Sequence, residues 1–216
     1  QMLNVHKIHM MIGKYNSKLI FDKLNTIISN YNDILQEEKI NVLYENQNKL
    51  DINSKLIKMY LNYYIKKEYR TNIINELFDS LFNTINKDEL IKNFYLTKDE
   101  IINLDKCSMI IGNHTLDHLV LSQLNYKEQY EQINEVNVFL SNLINKKIES
   151  FCYPYGGSHV YNNTTIQILK ELDFSFAVDV LFSDRSNLNL LNNKYTIYRF
   201  DCNHFPNGKI YNYKLY

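Results

Sequence analysis

The 216 residues contain 24 Lys+Arg and 24 Asp+Glu, and this zero formal charge excludes the usual electrostatic argument for a nucleic-acid or membrane-surface partner. The chain is long enough for one domain with a real core plus an insertion, and no apolar run approaches the roughly 18 residues that span a bilayer. Its three widely spaced cysteines favour free thiols in a reducing compartment, and no signal peptide begins the chain, so we expect a cytoplasmic protein.

The first predicted element covers residues 2–12, where apolar side chains alternate with His6 and His9. One interpretation is a pair of metal ligands, because the two imidazoles are three residues apart. The other is an amphipathic helix that carries two imidazoles at the edge of its core. No carboxylate lies nearby to complete a metal site, so the sequence favours the helix.

Residues 14–95 predict a small helical subdomain without a catalytic motif. Ser17 is the expected N-cap of its first helix, and two later stripes of apolar residues follow the helical period. The stripes are Leu56, Ile57, Tyr60, Leu61, Tyr64 and Ile65, and then Ile73, Ile74, Leu77, Phe78, Leu81, Phe82 and Ile85. The many tyrosines of this segment could line a sugar-binding groove, because tyrosine rings stack on sugars. Their helical spacing instead favours packing in the core. We therefore assign residues 1–95 to an N-terminal segment with a helical insertion and residues 96–216 to an α/β core.

Helices and strands alternate from residue 97 onward. Thr97 and Glu100 have the spacing of a capping box, which predicts a short helix after them. A buried strand at residues 109–111 and a long helix at residues 126–146 come next. The remaining elements are strands at residues 150–153, 174–180 and 195–200, and a helix capped by Asn162 or Asn163. This order favours a largely parallel α/β sheet or barrel.

Two histidines follow the strand predicted at residues 109–111. His114 and His118 are four residues apart, so on a helix or a helix-like turn they project from the same face and can share one cation. Asp117 lies between them and is expected to face water at the start of a helix. The strand at residues 150–153 also ends in a tight turn, Pro-Tyr-Gly-Gly. Both motifs therefore come at the carboxyl ends of strands, where α/β folds place their chemistry.

Residues 112–118 (Gly-Asn-His-Thr-Leu-Asp-His) and residues 151–156 (Phe-Cys-Tyr-Pro-Tyr-Gly) together resemble the polysaccharide deacetylase family, the NodB-homology carbohydrate esterases. The resemblance covers residues 96–200, and the order and spacing of the two motifs make it specific. It implies a distorted, incomplete (β/α) barrel with a helical insertion. It also implies removal of an N- or O-acetyl group from a carbohydrate substrate with a divalent metal, zinc being the one expected.

The same resemblance assigns roles to single residues. His114 and His118 match the two histidine ligands of the metal. Tyr155 lies in the motif whose backbone N–H helps to hold the tetrahedral oxyanion. His204 is the candidate for the general acid, although its context, Asp-Cys-Asn-His, departs from the family's Leu-x-His. His159 is equally consistent with a surface residue.

The departures from the family pattern bear on activity. The family's paired aspartates, one a catalytic base and one a metal ligand, have no counterpart, because no Asp-Asp occurs in the sequence, and Cys152 stands where many members carry Arg. We expect the strand with both aspartates to lie upstream of residue 1 and this chain to be inactive by itself. One alternative is that the protein is a non-catalytic glycan-binding or scaffolding relative. Another is that His114 and His118 are hydrogen-bonded residues at the edge of a core and bind no metal.

Overall fold

The computed structural model describes residues 2–36, 51–180 and 194–199, which fall into two compact units, residues 1–96 and 97–216. The predicted boundary lies one residue away, and the assignment of the first unit as an insertion stays a prediction. No helix in the described part of the chain is long and apolar enough to cross a membrane.

The first unit is helical. Its helices are α1 (Asn4–Lys14), α2 (Ser17–Ser29), α3 (Ile52–Met59), α4 (Lys67–Leu81) and α5 (Lys87–Phe94). Helix α1 packs against α4, and α2 packs against α3 and α4. The predicted stripes supply most of the buried core, including Ile57, Leu61, Ile73, Ile74, Leu77 and Phe78.

The start of α2 differs from the prediction. Asn16 is the N-cap, since its side chain accepts a hydrogen bond from the backbone N–H of Lys18 at 3.0 Å. Ser17 is the first helical residue, and its hydroxyl donates instead to the Asp51 carboxylate at 2.6 Å. Asp51 is itself the N-cap of α3. Ser17 therefore joins the beginnings of two helices.

Helix α3 is followed directly by a π-helical turn, Tyr60–Tyr64. A turn of this kind adds a residue and rotates the side chains that follow it, so the 3.6-residue period fails here. Tyr63, outside the predicted stripe, is 1% exposed. The buried Arg70 side chain donates to the carbonyls of Tyr63 and Ile65 at 3.1 and 2.7 Å, which satisfies the end of this turn.

Helix α1 is the amphipathic helix that the sequence favours, with Val5, Ile8 and Met11 buried. The Nδ1 atom of His6 lies 2.7 Å from the Tyr95 hydroxyl, while His9 is exposed. Among residues with described positions, neither histidine belongs to a group of three metal-competent side chains. The structure thus gives His6 a hydrogen-bonded place at the core edge.

The second unit contains α6 (Lys98–Lys106), α7 (Tyr126–Ile144), α8 (Asn163–Glu171) and the strands β1 (Ser150–Cys152), β2 (Phe176–Val180) and β3 (Ile197–Arg199). The predicted capping box at the start of α6 is present, and Asn162 caps α8. The three strands form one parallel sheet in the order β1-β2-β3. This confirms the mixed helix-and-sheet class with parallel pairing, and closure into an incomplete barrel stays a prediction.

The buried strand expected at residues 109–111 is wrong. Met109 is 59% exposed and Ile110 is 83% exposed. Within the described ranges, only Asn113 pairs with the outer edge of β1, through a single parallel bridge to Phe151. An apolar run forms a buried strand only where a neighbour covers it, and the described elements of this unit leave Met109 and Ile110 exposed.

Candidate metal and oxyanion site

The candidate site lies where the carboxyl ends of parallel segments meet. Asn113 accepts from the Cys152 N–H and donates its own N–H to the Ser150 carbonyl, both at 2.9 Å, so it enters the sheet beside β1. Gly112, just before it, approaches β1 closely, since a Cβ there would lie 2.6 Å from the Ser150 hydroxyl and 3.4 Å from the Ser150 carbonyl oxygen. This close approach brings the histidine loop and the turn after β1 to one edge of the sheet.

The loop at residues 113–118 is held by buried amides. Asn113 is fully buried, accepts from the Thr115 N–H at 2.9 Å and donates to the Ile133 carbonyl on α7 at 2.8 Å. Gln132, also on α7, pairs twice with Asp117, donating to its carboxylate at 2.7 Å and accepting its backbone N–H at 2.9 Å. Polar contacts with one helix thereby fix the shape of the loop.

The predicted helix start at this loop is wrong. The backbone turns left-handed at Thr115 (φ 64°) and His118 (φ 56°), and the next regular element is a short 3-10 turn, Leu121–Gln123. The Asp117 side chain accordingly binds Gln132 rather than standing at a helix N-terminus. The two histidines are brought together by these bends and not by helical periodicity.

The imidazole of His114 is oriented by the end of β1. Its Nδ1 lies 2.7 Å from the Cys152 carbonyl, an acceptor, so Nδ1 carries the proton and Nε2 keeps its lone pair. Desolvation lowers the pKa of His114, the bond to Cys152 opposes this, and the positive charge of Arg199 lowers it further. Part of His114 stays exposed. At neutral pH the side chain is therefore in the uncharged form that binds cations.

The second histidine contacts both the first and the turn. The ring centroids of His114 and His118 are 4.8 Å apart, and those of His118 and Tyr155 are 4.6 Å apart, each pair edge to face. The structure thus brings together three of the four predicted site residues. His204 lies outside the described residues.

The turn after β1 is conformationally strained. Tyr155 has φ 63°, a left-handed conformation that costs a residue with a side chain about 1–3 kcal/mol. Gly156 follows with φ 81°, and a Cβ at this position would lie 2.7 Å from the Val180 Cβ. Within the turn the Gly156 N–H donates to the Pro154 carbonyl at 2.7 Å, and the strain at Tyr155 persists only because its surroundings hold the turn.

The sequence of most of the chain, including both motifs, matches a known family. The sequence profile of the polysaccharide deacetylase family matches residues 18–177. The chain belongs to this family. The match begins well before the predicted resemblance at residue 96 and includes most of the helical unit.

Other comparisons add little detail to this assignment. A solved structure described as "Streptococcus pyogenes deacetylase PplD in complex with acetate" is 18% identical with a TM-score of 0.40, and the alignment covers 85% of this chain and 81% of that one. A search of curated proteins found no match.

The donor atoms of this deacetylase family member fit a metal only in part. The two adjacent imidazoles supply two positions of a tetrahedral zinc site, which takes at least three protein ligands. The described stretches of the chain contain no group of three His, Cys, Asp or Glu side chains able to hold an ion. The nearby Cys152 thiol does not act as a ready substitute, since desolvation raises its pKa and disfavours the thiolate.

Three residues of the site escaped sequence reasoning: Asn113, Gln132 and Asp179. Each is a buried polar side chain that binds backbone groups. Asp179 on β2 was the detectable one, because an acidic residue inside an apolar strand is a conspicuous break in the pattern. His159, in contrast, is exposed, and its carbonyl accepts from the Ser122 hydroxyl.

Proposed function

We propose that this chain takes part in the metal-dependent removal of an acetyl group from a carbohydrate. His114 and His118 supply two of the metal ligands, and the backbone N–H of Tyr155 donates to the oxyanion. The observation that carries the proposal is the contact of the two imidazoles with each other and of His118 with Tyr155, at one edge of a parallel sheet.

The chemistry divides between the metal and the chain. His114 and His118 would hold a divalent metal, which when bound would supply polarisation of the acetyl carbonyl and a lowered pKa of water. The Cys152 carbonyl keeps the Nε2 lone pair of His114 available. The backbone N–H of Tyr155 would donate to the carbonyl oxygen as negative charge develops on it. Hydrolysis of either an N-acetyl or an O-acetyl group requires this stabilisation.

We further propose that the chain is inactive by itself. Attack by water needs a general base, and a firm metal site needs a third ligand. No carboxylate joins the histidine pair in the described part of the chain, and the sequence has no Asp-Asp. Zinc as the metal, an incomplete barrel and a cytoplasmic location belong to the same proposal.

Zinc affinity tests the ligand assignment. Competition with a chromophoric chelator should show that His114→Ala and His118→Ala each weaken Zn²⁺ binding by at least about tenfold, because each removes one of two imidazoles. His9→Ala is the matched control, since it removes an exposed imidazole of α1. Equal affinity of all four proteins would refute the site.

Acetate release tests the activity. With excess Zn²⁺ and an N-acetylated oligosaccharide, the chain should release no acetate above the background rate. Metal-dependent release that His118→Ala abolishes would overturn the proposed inactivity and support the enzyme directly.

A glycan-binding relative is the second candidate, favoured by the incomplete donor set in the described residues. It predicts that the chain binds an oligosaccharide and that a chelator leaves this affinity unchanged. Loss of metal binding in His118→Ala should then have no effect on the affinity for the oligosaccharide. The metal-dependent proposal predicts that a chelator abolishes any response of the site to acetate, the reaction product.

A further inference from the structure

A buried carboxylate lies directly beneath the turn that carries Tyr155. Three consecutive residues of this turn have positive φ, 63° at Tyr155, 81° at Gly156 and 90° at Gly157. Only the two glycines adopt a left-handed conformation without steric cost. Within the turn the Gly156 N–H donates to the Pro154 carbonyl, and contacts from outside the turn must offset the strain at Tyr155.

Asp179 makes the contacts that select this conformation. Its Oδ1 accepts from the backbone N–H of Gly157 at 2.6 Å and from that of Val180 at 2.7 Å. The Tyr161 hydroxyl donates to the same carboxylate. Asp179 is 2% exposed, so water does not compete for these bonds. One carboxylate therefore links the turn after β1 to the end of β2.

The position is costly for a carboxylate. Along β2 the side chains alternate, and Asp179 occupies an inward place of the kind that Ala177 fills with an apolar side chain. Desolvation raises the pKa of Asp179 even though three hydrogen bonds and the charge of Arg199 oppose the rise. An apolar residue would be cheaper to bury, but it would leave the Gly157 N–H without its acceptor.

We propose that Asp179 is a positioning residue, whose carboxylate holds the Tyr155–Gly157 backbone in the conformation that places Tyr155 beside His118. The inference rests on the proposed function for the role of Tyr155. Asp179 acts through the turn and does not contact the substrate. The Gly157 N–H to Asp179 bond, at 2.6 Å, carries the assignment.

The test compares Asp179→Ala with Asp179→Asn in the full ¹⁵N-labelled chain. The asparagine amide oxygen still accepts from the Gly157 N–H, whereas alanine cannot. Asp105→Ala is the control, since it removes a carboxylate that pairs with Lys146 elsewhere in this unit. Amide exchange of Ala177, whose N–H donates to the Lys194 carbonyl, reports whether the sheet stays intact.

The first measurement needs no metal. In Asp179→Ala the Gly157 amide should exchange at least about tenfold faster with Ala177 unchanged, while Asp179→Asn should stay within about threefold of the parent chain. Faster exchange of Ala177 as well would assign Asp179 to the sheet and overturn the proposal. Unchanged exchange of Gly157 would overturn it too.

The second measurement uses Zn²⁺ and acetate. All variants should bind Zn²⁺ alike. The affinity for acetate, measured from the shift of the Tyr155 amide resonance, should be at least about tenfold weaker in Asp179→Ala and should recover in Asp179→Asn. Equal losses in both variants, or none in either, would contradict a positioning role. If the parent chain itself shows no acetate response with Zn²⁺, the proposed function fails, and the metal-free exchange of Gly157 still decides whether Asp179 holds the turn.

Discussion

The helical unit and the α/β unit are organised by different interactions. Residues 1–96 are organised around one cluster of buried apolar side chains contributed by α1, α2, α3 and α4. The site in the second unit depends on buried polar side chains that bind backbone groups, such as Asn113, which donates to a carbonyl of α7, and Asp179, which lies under the turn. Apolar packing tolerates local change and determines stability. Buried hydrogen bonds specify one loop conformation, and they fail when one partner is lost.

The largest effect is expected in the helical core. Leu77 lies on α4 and is fully buried in the apolar cluster, so Leu77→Ala should lower the free energy of unfolding by about 2–5 kcal/mol. Urea unfolding followed by circular dichroism measures this change. Leu77→Met, which nearly conserves volume, should cost less than about 1.5 kcal/mol.

This prediction would sharpen the comparison if the Zn²⁺ affinity of Leu77→Ala, measured below its unfolding midpoint, stays that of the parent chain. A loss of zinc binding in a folded Leu77→Ala chain would contradict the separation of the two roles.

Two glycines, one from each unit, test the comparison at the level of the backbone. Gly156→Ala should cost about 2–3 kcal/mol, because it combines a left-handed φ of 81° with a Cβ 2.7 Å from the Val180 Cβ. Gly13→Ala should instead stabilise the chain by up to about 1 kcal/mol, since Gly13 is in α1 and its Cβ would meet nothing within 4 Å. Thermal unfolding of the two variants gives the sign of each change.

Gly156→Ala should also remove the response of the Tyr155 amide to acetate, and Gly13→Ala should leave it intact. A harmless Gly156→Ala would mean that the turn relaxes freely and that Val180 does not define its shape.

The sequence predicted what apolar periodicity and caps encode. Helices α1 to α4, the capping box at Thr97 and the strands β1 and β2 follow from local patterns, whereas α5 was not predicted as a separate helix. The wrong strand before Asn113 has a different cause, which is that a local pattern does not say what covers a segment. The apolar run before Asn113 predicted a buried strand, yet no described neighbour in its unit pairs with Met109 or Ile110.

The site was predicted as a set of residues and not as a geometry. Family resemblance placed His114, His118 and Tyr155 together, and the structure brings their rings into contact. Helical spacing was the wrong reason for the histidine pair, because left-handed bends produce it. Those bends depend on hydrogen bonds with Gln132 on α7, which lies 15 residues after Asp117 in the sequence. Hydrogen bonds between such distant residues produce no periodic pattern in the sequence.

The smallest expected effect concerns a polar contact in the helical unit, where the Asp51 side chain joins the starts of α2 and α3. The Ser17 hydroxyl, the Ser54 hydroxyl and two backbone N–H groups donate to its carboxylate and lower its pKa from 3.8 to about 2. A depressed pKa means that the ionised form is favoured by folding. The stabilisation is therefore complete above pH 4 and is lost as the pH falls through 2.

Because Asp51 is exposed and water screens its charge, we expect only about 1 kcal/mol from this carboxylate. Asp51→Asn keeps a capping side chain without the charge, so its deficit relative to the parent chain should be present at pH 6 and vanish near pH 2. Ser17→Ala should raise the Asp51 pKa toward its ordinary value, which a carboxyl ¹³C titration measures directly. A deficit of Asp51→Asn that is the same at both pH values would show that the carboxylate stabilises neither helix start, and the first unit would then depend on apolar packing at this junction as well.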